Sequence, residues 1–269
     1  MTQPTVRTAV DEALLSEVEA IAERAGRIIL RYYTPDIQFR AKADASPVTT
    51  ADEAAEAAIV PALQRLMPDV PVVSEEAVAA GHRPTVHGPE NPSNRFWLVD
   101  PLDGTKEFLS RNGEFTVNIA LIDGERPLLG VVHIPVLSVT YGGIVGVTAR
   151  VLRGDGARLA IACRQVPADG AIVLSSRSHG DDAALDAYLA GKNIAGQRTA
   201  GSALKFCLVA EGVADLYPRL GRTMEWDTAA GHAILLAAGG SVTTMNGPDL
   251  VYGKADFANP HFVAQCRRR

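Results

Sequence analysis

The order of apolar and polar positions divides the chain into two parts with different patterns. In the first part, apolar residues recur at helical spacing over Asp11–Tyr33 and again over Thr50–Met67, which predicts two amphipathic helices. Apolar runs separated by turn residues come next and predict a meander of antiparallel strands. These strands are expected over Phe115–Ile122, Leu128–Ile134 and Ser138–Gly142.

The second part alternates between strands and helices. Strands are expected over Ala171–Ser175, Val213–Tyr217 and Ser241–Met245, and helices over Asp181–Ala190, Ser202–Glu211 and Asp227–Ala238. Such alternation is typical of a layered α/β arrangement, so together with the meander it predicts an α+β sandwich. We place the division between the two halves near residue 150, which gives halves 1–150 and 151–269.

A buried strand in the first half ends beside two carboxylates. The run Phe96–Val99 is apolar, Asp100 follows it, and Pro101 lacks the N–H group that a longer ladder would need. We therefore expect the strand to end at Asp100, before the tight turn at Asp103-Gly104. Two carboxylates on one turn repel each other unless a cation lies between them, and a hard divalent cation prefers oxygen ligands.

The residues around this turn extend the candidate site. The backbone carbonyl of Leu102 lies between the two acids and could be a further oxygen ligand. Thr105 adds a hydroxyl group, and a helix that begins there would direct its N–H groups at an anion. An Asp-Gly turn after a strand is also ordinary turn chemistry, so the interpretation depends on acids elsewhere in the chain.

Acids also lie at the ends of other predicted elements. Glu75 and Glu76 follow the short strand Val70–Val73, where one carboxylate could reach a metal while the other hydrogen-bonds behind it. Asp52 lies in the first turn of a helix that Thr50 is expected to cap, a position where an acid also suits the helix dipole. A solvated strand end and a helix cap are the ordinary structural explanations of these acids.

Asp227 likewise opens a helix, either as its N-cap or as an acid of its first turn. It could share a bound ion and phosphate with the helix dipole. Four acids at strand ends or helix starts would together suit two or three Mg²⁺ ions, which orient a phosphate and activate a water. These acids are Glu75, Asp100, Asp103 and Asp227, with basic residues elsewhere at His179, Lys205, Arg219 and Arg222.

Composition excludes several other classes of protein. The net charge of −5 provides no general positive field for nucleic acid. Three cysteines far apart in the sequence fit neither a disulfide framework nor a zinc cluster, so free thiols are expected in a reducing cytoplasm. We find no signal peptide, no transmembrane run, no G-x-x-x-x-G-K-[ST] motif and no G-x-S-x-G motif.

Three motifs follow one another along the chain: Ser74–Glu76, Asp100–Thr105 and Trp226–Ala230. They resemble those of the lithium-sensitive, Mg²⁺-dependent inositol monophosphatase superfamily, and the resemblance extends from Pro47–Asp52 to Gly239-Gly240. Three further stretches are Lys106–Phe108, Arg111–Ala120 and Gly201–Lys205. These stretches are similar to the CysQ branch of the superfamily, the 3′(2′),5′-bisphosphate nucleotidases.

The resemblance implies a layered α/β/α/β/α fold of the sugar-phosphatase type and a role for each candidate residue. Thr105 and Asp52 would position and deprotonate the attacking water, with Glu76 as support, while the N–H groups of Gly104 and Thr105 hold the scissile phosphate. The metal ligands would be Glu75, Asp100, the Leu102 carbonyl, Asp103 and Asp227. The other substrate contacts would be His179, Ser202, Lys205, Arg219 and again Asp227.

We therefore predict a Mg²⁺-dependent phosphatase that converts adenosine 3′,5′-bisphosphate into AMP and phosphate. Two alternatives remain: a phosphatase of the same superfamily that acts on inositol or sugar phosphates, and a catalytically silent protein that binds nucleotide or metal. The expected partner is a small phosphorylated nucleotide. A cytoplasmic location is expected, while peripheral attachment to the inner membrane and a homodimer are left open by the sequence.

Overall fold

The computed structural model describes residues 9–35, 39–41, 47–154, 156–177 and 182–267. Its helices are α1 (Glu12–Tyr32), α2 (Thr50–Leu66), α3 (Glu75–Ala79), α4 (Thr105–Leu109), α5 (Asp182–Leu189), α6 (Leu204–Ala210) and α7 (Glu225–Ala237), with a 3-10 turn over Pro135–Leu137. Its strands are β1 (Phe39–Ala41), β2 (Pro47–Thr49), β3 (Val72–Ser74), β4 (Arg95–Asp103), β5 (Thr116–Asp123), β6 (Arg126–Ile134), β7 (Val139–Ile144), β8 (Thr148–Leu152), β9 (Arg158–Ala160), β10 (Ala171–Ser176), β11 (Ile194–Ala200), β12 (Leu216–Arg219), β13 (Gly240–Thr244) and β14 (Phe262–Cys266).

Two large sheets organise most of these elements, and β1 and β2 form a separate two-stranded antiparallel sheet. The larger sheet has the order β3-β4-β5-β6-β7-β8-β9 and is antiparallel apart from the β3–β4 pair. The smaller sheet has the order β11-β10-β12-β14-β13, with β10 parallel to both β11 and β12. The change from one sheet to the other lies between β9 and β10, and the proposed division at residue 150 stays a prediction.

Helices fill the spaces on and between the sheets. Apolar residues of α1 and α2 pack on one face of the larger sheet, and those of α6 and α7 pack between the two sheets. Leu185 and Leu189 of α5 pack on the far face of the smaller sheet. The layers therefore follow the order α/β/α/β/α, as predicted.

Helix α7 packs closely against the larger sheet, and glycine makes this approach possible. A methyl group at Gly130 of β6 would collide with the carbonyl oxygen of Ala230, and one at Gly143 of β7 would crowd the backbone of Ile234. The close packing fixes the direction of α7. Its first turn, with Asp227, is thereby held at one end of the sheets.

Two local predictions were wrong. The N-cap of α2 is Thr49, not Thr50, because the Thr49 side chain accepts a hydrogen bond from the backbone N–H of Ala51 (3.1 Å). Strand β4 does not end at Asp100 but continues to Asp103, with an irregular register between these two residues. Pro101 lies in this bulge, where the ladder needs no N–H donor.

Several strands were not predicted, among them β8, β9, β11 and β14. Strand β14 comes last in the chain and pairs antiparallel with both β12 and β13 in the smaller sheet. Its position between strands that precede it depends on tertiary contacts.

None of the described helices is both long enough and apolar enough to cross a bilayer.

Candidate active site

A cavity of about 530 Å³ lies where the end of β4 meets the starts of four helices. Its walls come from β4 and β12, together with the N-terminal ends of α3, α4, α6 and α7. All four acids predicted as metal ligands line it, which brings together residues far apart in the sequence. These acids are Glu75, Asp100, Asp103 and Asp227.

Three of these acids form a tight cluster. Glu75, Asp100 and Asp227 each present a carboxylate oxygen, and the three oxygens lie within 4.8 Å of one another. Burial, and then the nearby charges of Asp103 and Glu75, raise the pKa of Asp227 well above its usual value. Several carboxylates in contact are unfavourable without a cation, and their oxygen atoms suit a hard divalent metal.

The fourth acid, Asp103, is held by a separate set of donors on one of its oxygens. Its Oδ2 accepts hydrogen bonds from the side-chain amide of Asn118 (3.1 Å), the backbone N–H of Ala203 (2.8 Å) and the hydroxyl of Thr116 (3.4 Å). Burial raises its pKa to about 6. Because the hydrogen bonds described for this carboxylate all reach Oδ2, its Oδ1 is the oxygen available to a cation.

The bulge in β4 also shapes the position of Asp100. This side chain is buried, and its Oδ1 accepts a hydrogen bond from the backbone N–H of Leu102 (3.0 Å). Leu102 lines the cavity between the two acids. Ligation by its carbonyl oxygen stays a prediction.

Asp52 and Thr105 approach each other, as the proposed water-activating pair requires. The Thr105 hydroxyl donates to Asp52 Oδ1 over 3.4 Å. The backbone N–H and the hydroxyl of Thr49 hold Asp52 Oδ2, at 2.8 and 2.6 Å. Asp52 therefore caps α2 with one oxygen and contacts Thr105 with the other, and of the two only Thr105 lines the cavity among the described residues.

Gly104 occupies a position that only glycine fits without strain. Its φ is +92°, in the left-handed region, and a methyl group there would collide with Ser202 Oγ. The backbone can therefore turn sharply from β4 into α4. This turn places Thr105 at the first position of the helix.

The residues before α6 connect the second half of the chain to the acidic turn. Ser202 Oγ donates to the backbone oxygen of Asp103 (2.8 Å). Lys205 Nζ donates to the carbonyl oxygens of Ala200 (3.1 Å) and Ser202 (2.7 Å), and burial lowers the pKa of Lys205 to about 8. Both residues line the cavity; Lys205 also holds the loop that precedes α6, and Ser202 joins that loop to the acidic turn.

Other predicted site residues have different placements. Arg219 lines the cavity, and its Nη2 donates to the backbone oxygen of Arg222 (3.0 Å). Glu76 lies half-buried in the first turn of α3, next to the cavity-lining Glu75, but is not among the described residues that line the cavity. His179 lies outside the described residues, so its predicted contact stays a prediction.

Sequence reasoning missed the residues that hold the acids. Thr116 and Asn118, on β5, contact Asp103, and Thr49 contacts Asp52. Thr116 and Asn118 are two positions apart, so they share one face of the strand in an otherwise apolar run. Two polar residues on one face of a buried strand were the signal that could have indicated them.

The model of the inositol monophosphatase family matches residues 10–266. The chain belongs to this family. Members of the family depend on metal ions, and the cluster of Glu75, Asp100 and Asp227 could bind a metal.

Several curated relatives carry the name 3′(2′),5′-bisphosphate nucleotidase CysQ. The protein from Escherichia coli K12 is 46% identical over 252 residues, covering 93% of this chain and 98% of that protein. The protein from Buchnera aphidicola is 39% identical over 266 residues, covering 94% of each chain. The similarity therefore spans nearly the whole chain.

Solved structures agree with this family assignment. The structure of CysQ from Bacteroides thetaiotaomicron matches with a TM-score of 0.78 at 38% identity, covering 96% of this chain and 98% of that chain. An IMPase from Thermotoga maritima matches with a TM-score of 0.74 at 23% identity, covering 94% of this chain and 92% of that chain. The second match supports the shared fold alone.

Proposed function

We propose that the protein is a 3′(2′),5′-bisphosphate nucleotidase that removes the 3′-phosphate of adenosine 3′,5′-bisphosphate, giving AMP and phosphate. The observation that carries the proposal is the convergence of Glu75, Asp100 and Asp227 within 4.8 Å on one cavity. The names of the CysQ relatives support the choice of a nucleotide substrate. No feature of the described cavity favours an inositol or sugar phosphate instead.

The metal would be Mg²⁺, as two or three ions. An all-oxygen donor set fits this hard cation, and the described cluster contains no cysteine or histidine that would favour a softer metal. When bound, Mg²⁺ would neutralise charge on the phosphate and lower the pKa of a water. The proposed ligands are Glu75, Asp100, the Leu102 carbonyl, Asp103 and Asp227.

The chain's own groups would prepare the water and the phosphate. Asp52, held by Thr49, orients the Thr105 hydroxyl, and this pair positions the attacking water and accepts its proton. The backbone N–H groups of Gly104 and Thr105 would hold the scissile phosphate, and Glu76 would support the site from α3. The water attacks in line with the leaving oxygen, so no phospho-enzyme forms.

The rest of the substrate would be held by cavity residues from the second half of the chain. Ser202, Lys205 and Arg219 line the cavity, together with the first turn of α7, which contains Asp227. Their charges and donors would face the second phosphate and the nucleoside, with His179 nearby. The cavity volume of about 530 Å³ is in the range of small-molecule sites.

A phosphate-release assay tests the proposal. Purified protein with Mg²⁺ should release phosphate from adenosine 3′,5′-bisphosphate far faster than from inositol 1-phosphate, and a chelator should abolish the release. The reverse preference would indicate the inositol phosphatase, and no release from either compound would indicate a silent binding protein. Lithium at millimolar concentration should inhibit, and an unchanged rate would count against the family mechanism.

The partners and the location of the protein also stay predictions. A homodimer can be tested by light scattering of the purified protein. Cytoplasmic location and peripheral attachment to the inner membrane can be separated by fractionating cells in low and high salt. A membrane-bound fraction that high salt releases would support peripheral attachment.

A further inference from the structure

One carboxylate joins the ends of two neighbouring strands of the smaller sheet. Strands β10 and β11 are parallel, with Ser176 paired with Ala200, so both end at the same edge of the sheet. The residues that follow them, Arg177 and Gly201, both donate to Glu114, which lies just before β5. The two oxygens of Glu114 accept hydrogen bonds from Nη2 (2.8 Å) and Nε (2.9 Å) of Arg177, and Oε2 also accepts one from the Gly201 N–H (2.7 Å).

The backbone of Gly201 packs directly against Glu114. A methyl group at Gly201 would lie 2.7 Å from the backbone oxygen of Glu114 and 2.9 Å from its Cβ, so a larger residue would push the two segments apart. The N–H of Glu114 donates to the side-chain oxygen of Asn112 (2.9 Å), which holds its backbone from the other side. Glu114 is therefore a fixed point against which the segment after β11 rests.

The turn formed by residues 201–203 is anchored at each of its residues. The Gly201 N–H is held by Glu114, while Ser202 Oγ donates to the backbone oxygen of Asp103 (2.8 Å) and the Ala203 N–H donates to Asp103 Oδ2 (2.8 Å). Ser202 has a φ of +48°, in the left-handed region, which a residue other than glycine adopts only where its surroundings maintain it. Of these three anchors, the one at Gly201 does not involve Asp103.

Two residues of the catalytic cavity depend on the same turn. Ser202 and Lys205 line the cavity, and Lys205 Nζ donates to the carbonyl oxygens of Ala200 and Ser202. A shift of the turn would therefore move both the serine hydroxyl and the lysine ammonium group. Glu114 is not among the described residues that line the cavity, so its effect on a substrate passes through the turn.

We propose that Glu114 is a positioning residue: its carboxylate fixes the turn 201–203 and thereby places Ser202 and Lys205 against the second phosphate and the nucleoside of the substrate. The part of this inference that names the substrate rests on the proposed function. The part that concerns the placement of the turn rests on the contacts of Glu114 alone.

The metal site should depend much less on Glu114. Two of the three donors to Asp103 Oδ2 belong to Thr116 and Asn118 of β5, and these remain when Glu114 is replaced. Loss of Glu114 should therefore weaken substrate binding while the magnesium requirement stays as in wild type. A general loosening of the fold would change both.

Hydrogen–deuterium exchange of the full chain tests the anchor without any substrate. In Glu114→Ala, peptides that contain residues 201–203 should exchange about tenfold faster or more, because the Gly201 N–H loses a charged acceptor. In Glu114→Gln the increase should be smaller, since the amide oxygen can still accept this bond. Asp249→Asn is the matched control: it breaks an exposed ion pair with Arg126 away from the catalytic cavity and should leave these peptides unchanged.

Steady-state kinetics test the consequence for the substrate. Glu114→Ala should raise KM for adenosine 3′,5′-bisphosphate about tenfold and change kcat by less than about threefold, with the wild-type Mg²⁺ concentration for half-maximal rate. Glu114→Gln should recover part of the KM. Wild-type exchange at 201–203 in Glu114→Ala, or a loss confined to kcat, would overturn the proposal. A wild-type protein that does not hydrolyse this nucleotide would instead refute the proposed function, and the exchange result would still decide whether Glu114 holds the turn.

Discussion

The side-chain amide of Asn118 donates to Asp103 Oδ2 over 3.1 Å, across a bulge between neighbouring strands. In the ladder, Asn118 is the partner of Asp100, and Asp103 is the partner of Thr116. The bulge thus allows one polar residue of β5 to lie near both acids of β4. A carboxylate held on one oxygen offers the other in a fixed direction, which is what a metal ligand requires.

Replacing Asn118 by leucine should reduce kcat/KM by about 10–100-fold and raise the Mg²⁺ concentration needed for half-maximal rate. The physical reason is that leucine has nearly the same size but cannot donate to Asp103, so the carboxylate loses its orientation. Magnesium titrations of the phosphate-release rate measure both effects. Asn193→Leu, at an exposed amide away from the cavity, is the control and should leave both values unchanged. An Asn118→Leu variant with wild-type magnesium dependence would contradict this role.

Replacing Thr105 by valine should lower kcat by about 100-fold or more, because the proposed proton transfer loses its hydroxyl. The fold should be retained, since valine has a similar shape. The far-UV circular dichroism and the melting temperature check this point. Thr105→Ser restores the hydroxyl and should recover much of the rate. If Thr105→Val and wild type turn over equally, the pair with Asp52 does not activate water.

The sequence predicted the acidic turn because its signals are local. An apolar run, a proline and an Asp-Gly pair determine where Asp100 and Asp103 lie without reference to the rest of the chain. The convergence of Glu75 and Asp227 on this turn was predicted on two grounds. Four carboxylates at strand ends or helix starts would together suit Mg²⁺, and the motifs resemble those of a known family. The structure places both at the same cavity.

What the sequence could not predict depends on contacts between distant segments. The pairing of β14 with two earlier strands has no local signal. Thr49 and Thr50 are the same residue type, so the sequence alone could not tell which of them is the N-cap of α2. The hydrogen bonds that Thr49 donates to Asp52 decide in favour of Thr49.

Asp103→Asn should lose activity by several orders of magnitude while the protein remains folded, because a metal ligand is removed. The same change should stabilise the metal-free protein at neutral pH. The folded pKa of Asp103 is about 6, above its ordinary value of 3.8, so wild type loses stability as pH rises through 6. The variant should lack this loss.

Urea denaturation of both metal-free proteins at pH 5 and pH 7.5 measures this difference. With Mg²⁺ added at pH 7.5, wild type should become more stable than Asp103→Asn, because the metal stabilises wild type more than the variant. A variant that binds Mg²⁺ as tightly as wild type would show that Asp103 is not a ligand.

A buried histidine should make the stability of the protein fall in mild acid. His232 is 2% exposed, its Nδ1 hydrogen-bonds with the Tyr252 hydroxyl (2.9 Å), and burial lowers its pKa to about 3. In the unfolded chain His232 is protonated near pH 6.5, whereas in the folded chain it stays neutral. The free energy of unfolding therefore decreases as the pH falls below 6.5. At pH 5 this loss amounts to about 2 kcal/mol.

Urea denaturation at pH 7 and pH 5 compares wild type with His232→Gln, which carries no titrating ring. The difference in free energy of unfolding between the two pH values should be about 2 kcal/mol smaller in the variant. The exposed His82, replaced by glutamine, is the matched control and should leave the wild-type difference unchanged. Equal pH dependence in wild type and His232→Gln would mean that the folded protein accepts the proton at His232, contrary to the burial that keeps this ring neutral.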